Sequence, residues 1–342
     1  MIDLDTVEQF ARRALTAIGF SDEDAAWIGD HATRTEAMGV TTHGLYQVLH
    51  LDKAIDRDAI DPTAAATIAQ DHGSAIRIDQ PELAGQLALR AAMQLAAERV
   101  GHHGIFFAAL GNSHWVGGLG TWLIDLADRG YLARLEAQNC AVQDSPPHGS
   151  YDARFSTNPI GLAIPTDGDP IVADFCTSTI AMGRVRQLIS RDEKADVPRF
   201  FNKEGQLTDD PTVVKDGGCM ELLGGKRDGH KGYALTLWNE AMAALAGGWT
   251  NHPDHPSRQN LTLTVIDPES FAGADHFRSE MRSLIDQIHA ARPLPNVDRI
   301  RLPGEGAYER WRQAQAEGID LSDKRQKLDD LAERLKIPPL SD

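Results

Sequence analysis

Cysteine is scarce in this chain of 342 residues: Cys140, Cys176 and Cys219 are widely spaced. They form neither a disulfide framework nor a CxxC metal pair, and they suit a reducing compartment. Positive charge is short as well, with 34 Lys and Arg against 50 Asp and Glu and a formal net charge of -16. That balance argues against nucleic acid or an anionic membrane surface as a partner. An anionic ligand would have to be held by a local group of cations and backbone N–H donors, against an unfavourable net field. Long hydrophobic runs are missing, since no stretch of 18 apolar residues occurs, and the opening M-I-D-L-D-T-V-E-Q-F has neither a basic leader nor an apolar core. The expectation is a soluble cytoplasmic protein acting on a small molecule.

The familiar site motifs are absent too. No G-x-G-x-x-G opens a strand–turn–helix unit, and G-G-K-R-D-G at Gly224 to Gly229 lacks the spacing of a phosphate-binding P-loop. There is no H-E-x-x-H, and the adjacent His102 and His103 point apart in regular structure, so no metal site is expected. A serine hydrolase would carry G-x-S-x-G, and none is found.

What is present reads as an α/β chain, long enough for two domains or one domain with an added layer. Val7, Phe10, Ala11, Ala14 and Ile18 recur at helical spacing, with Gly19 as a stop. Ser21 and Asp24 can cap a second helix running to about Met38. A long helix is expected over Pro81 to Val100, a buried strand over Ile105 to Leu110, and a helix over Gly117 to Arg129. Strands are expected at Leu162 to Pro165, Ile171 to Phe175 and Leu261 to Ile266, with a helix from Lys231 to Gly248. Helical, charged text returns after Pro303 and after Leu321, where Ser322 is a candidate cap. Both ends are helical and the centre is not, so the ends are expected to pack as one discontinuous layer. Asn251 to Asn260 reads as a polar loop that needs no function.

Several stretches carry chemistry. In T-T-H-G-L-Y-Q, Thr41 to Gln47, a histidine and a glycine stand where an ordinary helix gains nothing from them. G-N-S-H-W, Gly111 to Trp115, follows a predicted buried strand, and a histidine there can face a crevice and move a proton near neutral pH. A bland histidine bonded to a backbone carbonyl is the equal alternative. S-T-N-P, Ser156 to Pro159, is a polar turn, and D-F-C-T-S-T, Asp174 to Thr179, ends a strand in hydroxyls able to meet ribose or phosphate. Gly224 to Tyr233, G-G-K-R-D-G-H-K-G-Y, sets glycines and cations before a predicted helix and can hold an anion, or can be a solvated turn.

Taken in order, T-H-G at Thr42, A-L-G-N-S-H-W at Ala109, T-N-P at Thr157, D-F-C-T-S at Asp174, H-K-G-Y at His230 and L-P-G-E at Leu302 resemble the type-2 malate/L-lactate dehydrogenase family. The match covers essentially the whole chain. It implies an α/β, non-Rossmann nicotinamide-binding fold of the L-sulfolactate dehydrogenase-like type, with a mixed or largely antiparallel central sheet and a helical layer from both chain ends. It implies an amino-terminal substrate-binding part over 1–110, a cofactor-binding domain over 111–295, and carboxy-terminal helices over 296–342 that pack back. The implied activity is NAD- or NADP-dependent interconversion of a 2-hydroxy acid, or a 2-amino or cyclic imino acid, with its 2-keto or imino form, in a homodimer. Keto-sugar acid or polyol chemistry on the same fold, or binding without turnover, are the alternatives. By the resemblance, His43 and His114 are the candidate acid/base residues, Thr42 orients His43, and Asn139 touches substrate or the nicotinamide amide. Thr157, Asn158, Pro159, Asp174, Cys176, Thr177, Ser178, His230, Lys231, Gly304 and Glu305 match cofactor-contacting or cleft-lining segments.

The sequence departs from the family at one telling place. Relatives usually carry an arginine four positions after the first histidine, where it clamps a substrate carboxylate; here that position is Gln47. An amide brings no charge and cannot replace the salt bridge, so another cation, Lys53 or a protonated His50, is expected to serve, or the substrate lacks a carboxylate there. The stretch before His114 is one residue short of the usual pattern, and Arg184 stands where lysine is common.

Overall fold

The computed structural model describes residues 1–341. In chain order the elements are α1 (Leu4–Ala17), α2 (Asp22–Ala37), α3 (Tyr46–Ile55), β1 (Ile68–Asp71), β2 (Ala75–Asp79), α4 (Gly85–His103), β3 (Ile105–Ser113), α5 (Leu119–Trp122) and α6 (Ile124–Asp128). They continue with β4 (Leu132–Asn139), β5 (Ile160–Ile164), β6 (Ile171–Phe175), α7 (Met182–Ser190) and the two-residue strands β7 (Phe200–Phe201), β8 (Leu207–Thr208) and β9 (Cys219–Met220). The chain ends with α8 (Gly225–Leu245), β10 (Gln259–Ile266), α9 (Ala274–His289), α10 (Glu305–Glu317) and α11 (Arg325–Leu335).

The main sheet has seven strands in the order β1-β2-β3-β10-β4-β5-β6. Only β2 and β3 run parallel; every other pair is antiparallel. A doubly wound dinucleotide fold needs successive parallel strands joined by crossover helices, so the expected non-Rossmann architecture is the one observed. The two faces of this sheet differ in chemistry. Ala133, Leu135 and Ala137 of β4 with Leu261, Leu263 and Val265 of β10 belong to the main apolar core, together with Ala88, Ala92, Ala96 and Val100 of α4. On alternate positions Glu136, Gln138, Asn260 and Thr262 are also buried, beside Asn239 and Glu240 of α8. Strand alternation places polar and apolar residues on opposite faces. The polar set is bonded: the Gln138 amide donates to Glu240 Oε2 at 2.9 Å, and the Asn260 amide to Gln138 Oε1 at 3.0 Å.

The chain ends do meet. Ile2 and Ile319 exchange backbone hydrogen bonds, each N–H donating at 2.8 Å, α11 packs on α1, and α10 packs on α2. Leu328, Leu331 and Leu340 enter the same core as Val7, Phe10 and Leu15. Ser21 caps α2 as expected, its hydroxyl accepting the Asp24 N–H at 3.1 Å.

Several boundaries differ from the sequence reading: β3 runs on to Ser113, β5 starts at Ile160 and β10 at Gln259. Helix α4 starts at Gly85, because 81–84 forms a turn closed by Leu83 N–H on Gln80 O. The helix expected over 117–129 is two short pieces, α5 and α6, meeting at Leu123. Helix α8 begins at Gly225, so G-K-R-D-G is its first turns and not a loop before it. Its inner glycines serve close approach: a Cβ on Gly232 would come within 2.8 Å of the carbonyl oxygens of Leu223 and Thr177. Ser322 is not a cap; α11 is preceded by Lys324, and the Ser322 N–H turns to Asp320.

Candidate active site

The loop between α2 and α3 explains the T-H-G triplet. Gly44 lies against α2: a Cβ there would sit 2.7 Å from the Glu36 backbone nitrogen and 2.6 Å from Glu36 Oε2. No side chain fits, so glycine follows the histidine to let the loop close down. Glu36 Oε2 accepts the Leu45 N–H at 3.0 Å, and Thr42 abuts Gly183 at the start of α7. The loop is thus gripped from two sides, with His43 at its crest.

Thr42 Oγ1 lies 2.6 Å from His43 Nδ1. A hydroxyl can donate to one imidazole tautomer and accept from the other, so the contact holds the ring in either proton state. Nε2 of His43 has no hydrogen-bond partner within the described chain. The ring tilts against Trp115, centroids 5.5 Å apart, and His50 meets the edge of the same indole at 5.1 Å. Burial, helped by the Arg186 guanidinium of α7, lowers the His43 pKa to about 4, so the imidazole is neutral at pH 7. Burial, His114, Lys53 and Arg57 lower His50 to about 4 likewise, so at neutral pH it is not the protonated cation that the sequence allowed for.

His114 is differently placed. Its Nε2 donates to the Pro81 carbonyl at 2.7 Å, and burial lowers its pKa, with Arg258 adding to the effect. Strand register explains that neighbour: Gln259 pairs with Ser113 on one side and Asn139 on the other, which sets Arg258 beside His114 and Cys140 at one end of the sheet. The carbonyl of Arg258 accepts the Cys140 N–H at 3.1 Å. Asp144, in the loop after β4, has its carboxyl raised to about 6 by burial, partly offset by Arg186. His43, His50, His114, Trp115, Arg186, Arg258 and Asp144 are therefore linked neighbour to neighbour and mark the candidate cleft, where Arg186 and Arg258 bring positive charge into an acidic protein.

Gln47 is fully buried and tied to other groups. Its amide lies 3.1 Å from His31 Nδ1 and 2.9 Å from the His43 carbonyl, and Gln86 Nε2 reaches its Oε1 at 3.4 Å. His31 in turn lies 2.9 Å from Thr121 Oγ1 and stacks on Trp122, and burial takes its pKa well down.

The other expected residues take up varied places. Asn139 Oδ1 accepts the N–H groups of Ala141 and Val142 at 3.0 and 3.1 Å, while its amide donates to Ser257, so it shapes the loop after β4. Thr157, through its carbonyl, accepts the N–H and hydroxyl of Thr177. Asn158 donates to Glu240 Oε1 at 3.0 Å, and its carbonyl accepts from Asn239, with Pro159 following into β5. Asp174 Oδ2 accepts the N–H groups of Leu119 and Gly120 at 2.7 and 3.0 Å. Cys176 Sγ contacts the Ser178 carbonyl, and the Ser178 hydroxyl donates to Ile180 O. Lys231 is exposed and paired with Asp228 one turn back at 2.9 Å, and the His230 ring lies 5.8 Å from that of His148. Gly304 precedes α10 against Val172 of β6, and Glu305 bonds His289 at 2.8 Å.

Residues that sequence alone did not single out are Glu36, Trp115, Asp144, Arg186, Arg258 and Lys324. The signal for Arg258 was its place one residue before a strand that pairs with the His114 strand; the rest depend on packing.

Two buried polar atoms on paired residues at the sheet end, Ser113 Oγ and Gln259 Oε1, have no partner among the described residues. Buried polar groups are normally bonded, so a polar ligand group or water suits this place. A carboxamide, with donors and an acceptor, fits that need.

Comparison with known proteins is consistent along the chain. The family described as malate/L-lactate dehydrogenase matches residues 2–329. The L-lactate dehydrogenase of Cupriavidus necator is 31% identical over 327 residues, covering 92% of this chain and 91% of its own. Among solved structures, malate dehydrogenase from Pyrococcus horikoshii superposes with a TM-score of 0.87 at 26% identity, covering 99% of this chain and 96% of that one. Sulfolactate dehydrogenase from Methanocaldococcus jannaschii has the same fold, with a TM-score of 0.86 at 23% identity over 98% of this chain and 97% of that one.

Proposed function

Since the chain belongs to the malate/L-lactate dehydrogenase family, we propose that its cleft interconverts a 2-hydroxy acid and the 2-keto acid, with His43 moving the proton. The observation that carries the assignment is the contrast between the two histidines. His43 holds its Nδ1 on Thr42 and leaves Nε2 free, whereas His114 spends Nε2 on a backbone carbonyl. When bound, NAD or NADP supplies or accepts the hydride. The Thr157–Pro159 turn, the Asp174–Ser178 stretch at the end of β6, the start of α8 with His230 and Lys231, and the Gly304–Glu305 turn are proposed to hold it. In reduction, His43 Nε2 delivers a proton to the substrate oxygen; in oxidation it removes the hydroxyl proton. The Trp115 indole gives that ring an apolar neighbour.

With Gln47 buried, the substrate carboxylate falls to Arg258. Arg258→Met is expected to raise KM for 2-keto acids by roughly 10- to 100-fold, the worth of a charge-assisted hydrogen bond. Acceptors without a carboxylate should be unaffected. Asp144 favours a second reading, a hydroxyl-rich keto-sugar acid, because its buried carboxylate accepts hydrogen bonds from hydroxyl groups at neutral pH. The assay is oxidation of NADH or NADPH followed by absorbance, with pyruvate, oxaloacetate, sulfopyruvate, cyclic 2-imino acids and keto-sugar acids, for wild type and Arg258→Met. Cofactor binding without turnover of any acceptor would retire the catalytic reading and leave a binding protein.

A homodimer is proposed on separate grounds. Leu237, Trp238 and Leu245 of α8 and Trp249 beyond it are large apolar side chains left about half exposed, which is unusual for a surface without a partner. Sedimentation returning the monomer mass at micromolar protein would count against it.

A further inference from the structure

We propose that Glu36 and Lys324 are a positioning pair that fixes the height of His43 in the cleft, so that the carboxy-terminal segment sets the competence of the site. The inference rests on the catalytic reading of His43 given above. Lys324 reaches into the protein from the residue before α11, and its Nζ lies 2.7 Å from Glu36 Oε1. The two side chains are 0% and 2% exposed. The other oxygen of the same carboxylate accepts the Leu45 N–H at 3.0 Å, two residues after His43. One carboxylate therefore links the carboxy-terminal segment to the histidine loop, across 288 residues of sequence.

The loop is held again where it enters α3. Lys324 Nζ lies 5.4 Å from the Tyr46 ring centroid, and Lys327 stands over the same ring at 4.9 Å while donating to its hydroxyl at 2.8 Å. On the near side, Gly44 rests directly on Glu36 with no room for a methyl group. A displacement of Glu36 must therefore move Gly44 and Leu45, and His43 with them. Stability is a weak reason for such a pair. A buried ion pair loses two hydration shells, and well-packed apolar residues of similar size often replace it without loss. A pair that touches the backbone of the proton-transfer loop has a positional task that apolar residues cannot perform.

The test is the double variant Glu36→Met/Lys324→Met, which removes both charges, leaves the net charge unchanged and keeps side-chain volume. Three quantities are measured: thermal unfolding, the titration of the His43 imidazole by NMR in the ligand-free protein, and steady-state kinetics. Because Lys324 Nζ also lies 3.2 Å from Asp323 Oδ1 and Glu36 Oε2 holds the Leu45 N–H, the variant is expected to fold but to unfold somewhat below the wild-type temperature. The His43 titration, at about 4 in the native protein, is expected to move up by roughly one pH unit as the loop loosens into water. The kcat is expected to fall roughly tenfold or more from misplacement of the imidazole, with the cofactor KM little changed. A folded double variant with a wild-type titration and wild-type kcat overturns the proposal, because a pair that served stability alone would leave both untouched. Should the double variant not fold, Lys324→Met is measured in the same way, and a wild-type titration with wild-type kcat overturns the proposal there too; Glu36, whose pKa burial already raises, can then take a proton and stay neutral. The NMR titration needs no substrate, so it decides this inference even if no acceptor is turned over.

Discussion

His43→Ala is expected to lower kcat by roughly 10²- to 10⁴-fold, the usual contribution of a positioned acid or base, while cofactor affinity stays near the wild-type value. The expectation follows from which nitrogen is free. Nε2 of His43 has no partner among the described residues, its other nitrogen is held by Thr42, and the ring lies against Trp115. His114→Ala should cost much less in kcat, because that ring's Nε2 holds the Pro81 carbonyl. Reversal of the two effects, measured by stopped-flow hydride transfer, would hand the role to His114.

The pH dependence has a definite sign. Burial and Arg186 depress the His43 pKa to about 4, so the neutral base dominates at every pH above that value. The oxidative kcat/KM should therefore be flat through neutral pH and fall as pH drops through about 4. The reductive kcat/KM needs the protonated ring, so it should decline by about tenfold per pH unit above that point. An anionic substrate draws the pKa back up once bound, so kcat should show a higher apparent value than kcat/KM. A single profile shared by both directions, unchanged in His43→Ala, would falsify the assignment.

The second large effect concerns position 47, where the resemblance implies an arginine. Introducing arginine by Gln47→Arg is expected to destabilise the protein by about 3–5 kcal/mol, as a broken buried network with an unpaired charge does. It is not expected to recover a carboxylate clamp. The Gln47 side chain is fully buried, its amide contacts His31 and the His43 carbonyl, and Gly117 faces it so closely that even a methyl group there would overlap its Cδ. His31 is held neutral by burial and cannot balance a guanidinium. Urea unfolding of the variant gives the energy, and substrate KM gives the clamp. Wild-type stability together with a lower KM for pyruvate would show that position 47 can turn to the cleft, and the role given to Arg258 would then be unnecessary.

The sequence by itself determined the helical ends, the α/β centre and the family. These are local or ordered signals: apolar spacing in α1, the Ser21 cap, and short motifs whose order survives in the text. It placed the start of α8 six residues late, because Gly225 and Gly229 look like turn residues until the neighbours they touch are known. Only the tertiary structure decided that Gln47 points inward, since a helix face becomes buried or open according to what packs on it. The same holds for Arg258, which reaches His114 through the register of β10 against β3, and for Lys324, which meets Glu36 from the far end of the chain. Position along a strand or helix follows from nearby residues, but which charges share one cleft depends on long-range pairing, and short-range spacing carries no record of it.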